Sequence, residues 1–129
     1  MAISNIQETL LMYTKQKAML NGKLSDIMFN MMSASRESSE LQRRYNEKQQ
    51  DYYYEYAADD PALYQEVLEV LEMDHEFEMS VLNSWEKQLE LDKANYETRL
   101  NEITAYESSW TKLLQSNVKN DFTYGGAGK

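Results

Sequence analysis

Tyr56-Ala57-Ala58-Asp59-Asp60-Pro61 decides the fold of this chain. Pro61 is the only proline among 129 residues, and it separates two stretches that each read as one long helix. A proline lacks the N–H that a helix interior needs, yet it suits the first helical turn, where that donor has no partner. Asp59 or Asp60 supplies an N-cap just before it. The stretch therefore reads as a bend between two antiparallel helices, at about 4–57 and 61–118. The predicted fold class is all-α, a long coiled-coil-like two-helix hairpin. Residues 1–119 form the hairpin, and 120–129 form a flexible tail.

Outward from the bend, helix one carries a 3–4 spacing through Ile6, Leu10, Tyr13, Lys17, Leu20, Leu24, Ile27, Met31, Ala34, Ser38, Leu41, Tyr45, Lys48 and Tyr52. That heptad pattern predicts a seam against a partner helix. Ser4 with Gln7 reads as a capping box at its start. Gly22 keeps the phase and costs the helix about 1 kcal/mol against alanine. Ser33–Ser39 is a run of small side chains and weak helix formers, read as close packing beside the apolar band, with a bend or a frayed point as the alternatives. Helix two is read on Leu63, Val67, Val70, Phe77, Val81, Trp85, Leu89, Tyr96, Leu100, Ile103, Tyr106, Trp110, Leu113 and Leu114. Four-residue steps at Phe77–Val81–Trp85–Leu89 and Asp92–Tyr96–Leu100 predict stutters that locally straighten a supercoil.

A two-helix hairpin buries one stripe of each helix, so apolar residues off the seam remain for a second copy or another protein. Met28, Met31 and Met32 widen the band on helix one, and Trp85 and Trp110 are large apolar groups on helix two. The end of the chain, from Asn120, holds three of the four glycines together with Phe122 and Tyr124. It reads as a flexible tail that leaves the helix, with docking on a neighbour or on a strand edge as the alternative.

Net charge is -9 and uneven. Residues 1–59 hold seven basic and eight acidic groups, whereas 60–129 hold six and fourteen. An acidic surface repels phosphate backbones and anionic lipid, which argues against nucleic-acid and membrane partners and for basic ones. No basic residue occurs between Lys48 and Lys87, while Tyr52, Tyr53, Tyr54 and Tyr56 stand among acids that include Glu66 and Glu69. Tyrosine gives contact area at small entropy cost, and carboxylates select cations, so this end is a candidate binding tip. Apolar runs are too short to span a bilayer. The N-terminal residues lack the pattern of a cleaved signal peptide, which predicts a cytoplasmic, virion or leaderless exported protein.

Chemistry has few candidates. The chain has no cysteine and one histidine, which excludes disulfides, thiolate sites and histidine-based triads built on more than His75. Glu72-Met73-Asp74-His75 contains the Glu-x-x-His pair of di-iron carboxylate bundles, and folding at residue 59 sets Glu47 opposite Glu72. Over those four residues the chain resembles ferritin-like proteins, whose single chain holds four helices. The resemblance implies a dimeric carboxylate-bridged metal site with Glu47, Glu72 and His75 as ligands. The leading expectation is different: a non-enzymatic assembly protein without a cofactor, self-associating as a filament, secretion-apparatus or phage component. An acidic chaperone or adaptor for a basic or amphipathic partner is the alternative.

Overall fold

The computed structural model describes residues 2–127, with side chains described for residues 2–120. It consists of two helices packed together as a hairpin, α1 (Ile3–Tyr56, 54 residues) and α2 (Pro61–Ala127, 67 residues). Among the described residues there is no strand, and no helix is long and apolar enough to cross a membrane.

The turn follows from its sequence. Ala57 and Asp60 donate to the carbonyls of Tyr53 and Tyr56 at 3.2 and 2.9 Å, which satisfies two of the last four carbonyls of α1. Pro61 then forbids continuation, because its ring would meet the carbonyl four residues back. The residue before a proline is driven to extended backbone, which is also the conformation of an N-cap. Asp60 meets both demands: its carboxylate Oδ1 accepts from the Leu63 N–H at 3.1 Å, and its carbonyl accepts from Tyr64 at 2.9 Å. The other end of α1 differs from expectation. The carbonyl of Ala2 accepts from the Asn5 and Ile6 N–H groups, so Ser4 lies inside the helix and is not its cap. Helical backbone in α2 continues past Val118 to Ala127.

Two units make up the chain: a terminal unit of Met1–Asp26 with Asp92–Lys129, and a turn unit of Ile27–Leu91. In the terminal unit Ile6 and Leu20 are buried, and Tyr13 stacks on Tyr106 with ring centroids 6.2 Å apart. Lys17 pairs with Glu107 at 3.0 Å, and the Lys23 ammonium lies 5.3 Å from the Tyr96 ring centroid. Lys17 is half-buried at the seam and Lys23 is exposed, and the charged heads reach an acidic and an aromatic partner. In the turn unit Ile27, Ala34 and Leu41 of α1 and Leu71, Leu82 and Leu89 of α2 are buried. Ala34 is fully buried and the helix is unbroken through Ser33–Ser39, as close packing there requires.

The seam of α1 follows its heptads as far as Tyr45. It then steps to Gln49, which is half-buried, while the expected Lys48 is exposed. The seam of α2 differs more. In the turn unit it runs through Tyr64, Leu68, Leu71, His75, Met79, Leu82 and Leu89. The expected Leu63, Val70, Phe77, Val81 and Trp85 stand about one residue out of phase, at the surface. Both stripes are apolar at helical spacing, and one residue turns a helix by about 100°, so periodicity alone does not choose between them. The expected four-residue step at Asp92–Tyr96–Leu100 holds, with all three residues half-buried. The one expected at Phe77–Val81–Trp85–Leu89 gives way to Leu71–His75–Met79, and α1 has a step at Leu41–Tyr45–Gln49.

Candidate interaction surface

Residues 63–85 of α2 carry two apolar stripes. One fills the hairpin seam. The other, Leu63, Val70, Met73, Phe77, Val81 and Trp85, is exposed, with Phe77 70% exposed and Met73 68%. Beside Phe77 a groove of about 510 Å³ opens between the helices, bounded by Leu41, Val81, Leu82 and Trp85 with Glu37, Arg44 and Glu78 on its rim. Nearer the turn a groove of about 280 Å³ is lined by Leu63, Val67 and Val70 with Lys48, Glu66 and Asp74.

The charges around these grooves are partly spent within the chain. Arg44 pairs with Glu37 at 3.2 Å. Arg43 pairs with both Glu40 and Glu47 on its own helix. The hydrogen bond from Arg43 and its positive charge hold the Glu40 carboxyl below its usual range, and the same carboxylates hold the Arg43 guanidinium charged. Glu66, Glu69 and Asp74 are exposed.

The tyrosines near the turn divide. Tyr52 and Tyr56 are half-buried, with ring centroids 6.0 Å apart. Tyr53 and Tyr54 are exposed, and Tyr53 meets both Tyr54 and Tyr64 edge to face, at 5.6 and 6.1 Å. The negative charge of Glu55, followed by burial, pushes the Tyr56 hydroxyl above its ordinary value. Of the four tyrosines of the expected tip, only Tyr53 and Tyr54 are therefore exposed, beside the exposed Glu66 and Glu69.

The expected ligand set is not assembled. Glu47 is held by Arg43, Glu72 is exposed, and His75 lies in the seam with its ring stacked on Tyr45 at 4.1 Å. Among the described residues no three histidine or carboxylate side chains converge as a metal cage would need. Of the methionine band, Met28 and Met32 are exposed, whereas Met31 is half-buried at a seam position. Trp85 is 40% exposed as a groove wall, and Trp110 is half-buried in the terminal unit. The side chains of Phe122 and Tyr124 lie outside the described residues.

A further surface in the terminal unit was not singled out from the sequence. Leu11, Met12 and Met19 of α1 are exposed around Lys15, forming a groove of about 360 Å³ with Glu8 and Gln16. Its residues interrupt the heptad list without breaking it, so only their exposure reveals them. No family model, curated protein or solved structure matches the chain.

Proposed function

We propose that this chain is a non-enzymatic structural protein, a helical hairpin that assembles by covering the outer apolar stripe of α2. The observation that carries this reading is the second stripe, Leu63–Trp85, left exposed after the seam is filled. Apolar surface of this kind, continuous over several helical turns, marks an association site in a folded protein. The thin seam supports the same reading, because a two-helix hairpin buries few side chains and gains from a further packing layer. Catalysis has little footing here. The grooves are open to water, and the one histidine is engaged in packing rather than poised for proton transfer. Filaments, secretion apparatus and small phage structures all use hairpins of this type as subunits, and self-association is the property common to them.

Light scattering and sedimentation velocity over a wide concentration range test the proposal. The mass is expected to rise with concentration, and Phe77→Lys is expected to suppress the rise without loss of helix content. A wild-type protein that stays monomeric to about millimolar concentration, a free energy of only about 4 kcal/mol, rejects it.

One observation favours the adaptor reading as second choice. The outer stripe is bordered by Glu66, Asp74 and Glu78, which suits a basic amphipathic helix from another protein. A monomeric chain that binds such a peptide, with affinity falling as salt rises, would select it.

A further inference from the structure

Taking self-association as the proposed function, we infer that the contact is heterologous: the Lys15-centred face of α1 on one copy docks on the acid-bordered outer stripe of α2 on the next.

Charge argues against two α2 stripes packing on each other. An antiparallel pairing centred on Phe77 sets Glu76 of one copy against Glu78 of the other, and vice versa. No basic residue occurs between Lys48 and Lys87 to relieve the repulsion. Of the cations along the stripe, Arg44 is already paired with Glu37, and Lys48 stands with both Glu66 and Asp74 on the turn-side groove. Like charges brought together in a contact cost affinity and direct the stripe to a surface of opposite sign.

The terminal unit carries exposed cations beside apolar groups. Lys15 stands among Leu11, Met12 and Met19 with Glu8 on the same groove, and a neighbouring groove sets Met19 beside Arg99 and Glu102. The apolar spans agree. Leu11 to Met19 and Phe77 to Trp85 are each eight residue steps, roughly 12 Å along a helix. Seated on the groove at Phe77, Val81 and Trp85, the α1 face would bring Lys15 to Glu78.

Gly22 supplies an independent observation. It lies on the outer side of α1, one turn beyond Met19, and a methyl group added there would meet nothing within 4 Å. The fold of a single chain thus gives no reason for a glycine that costs the helix about 1 kcal/mol. A bare position on the face that receives another helix allows closer backbone approach, which gives it a reason.

The two surfaces differ and belong to one chain, so occupying one leaves the other free. Such a contact propagates from copy to copy, closing into a ring or extending as a filament according to its rotation.

The test uses two variants, each blocking one surface at an exposed position: Phe77→Lys for the stripe and Met19→Glu for the α1 face. Circular dichroism checks that both remain helical. Each variant alone is expected to stay monomeric at concentrations where the wild type assembles, and an equimolar mixture is expected to give a 1:1 dimer and nothing larger. A second pair uses charge alone: Lys15→Glu and Glu78→Lys each weaken assembly about tenfold, and the double variant restores it. Assembly of the wild type with no pairing in the mixture, and no rescue by the charge swap, overturns the heterologous contact while leaving self-association standing. A monomeric wild type overturns both.

Discussion

Tyr45 and His75 stack face to face across the hairpin, with ring centroids 4.1 Å apart and planes 18° from parallel. Gln49 donates to the Tyr45 hydroxyl at 2.9 Å and fixes the ring's tilt. These residues sit where each helix takes a four-residue step, Leu41–Tyr45–Gln49 against Leu71–His75–Met79. A stutter in one helix alone would shift its seam relative to the partner. Matching steps at one level keep Leu41 and Leu82 buried on one side of the stack and Leu71 on the other. A double-mutant cycle of Tyr45→Ala and His75→Ala, read by urea denaturation, is expected to give a coupling of about 0.5–1.5 kcal/mol. Additive losses would mean that the stack fills space without specific attraction.

The two stripes of α2 separate cleanly by stability. Leu82 is 5% exposed, so Leu82→Ala removes buried methylenes and should cost about 2–4 kcal/mol. Phe77→Ala removes a larger side chain from the surface, and in the dilute monomer it should change stability by no more than about 0.5 kcal/mol. Denaturation midpoints measured at low concentration decide the matter; equal losses would mean that the seam lies elsewhere.

The hairpin itself was legible because its signals are unambiguous: one proline, an aspartate before it, and heptads in α1 that hold from Ile6 to Tyr45. The α2 seam near the turn was not legible. Leu63, Phe77 and Val81 form as good a 3–4 pattern as Leu68, Leu71 and Leu82, and propensity favours neither. Only packing against α1 decides which set turns inward. The metal motif failed for a related reason. Spacing placed Glu72 and His75 on one helix, but it could not register that Tyr45 would cover the imidazole and Arg43 would take Glu47. The Lys15 face escaped notice because a lysine at its centre hides three apolar neighbours from any hydrophobic count.

Asp60 is expected to carry the turn. Its carboxylate caps α2 at the Leu63 N–H, so Asp60→Ala should cost about 0.5–2 kcal/mol, and Asp60→Asn much less. Thermal denaturation of both variants tests the distinction. Equal losses would assign the effect to charge rather than to the cap.

At alkaline pH the turn should weaken through Tyr56. Its hydroxyl is held above the ordinary value of 10.0 by Glu55 and by burial, so the unfolded chain loses this proton first. The contribution is therefore complete below about pH 10 and is lost as pH rises through the folded-state value. Tyr56→Phe should flatten the stability profile in that window, while its packing against Tyr52 persists. An unchanged alkaline slope in the variant would move the effect to another tyrosine.

Gly22→Ala should move stability and assembly in opposite directions. The added methyl meets nothing within 4 Å in the single chain and restores helix propensity, a gain of about 1 kcal/mol. For a chain of this size that corresponds to a melting temperature raised by roughly 4 °C, measured where the protein is monomeric. The same methyl stands on the face proposed to receive the next copy, and it should raise the concentration needed for assembly. A rise in both stability and assembly would place the intermolecular contact away from Gly22. The direction of the second change, rather than its size, is decisive, because helix propensity alone can only stabilise the subunit.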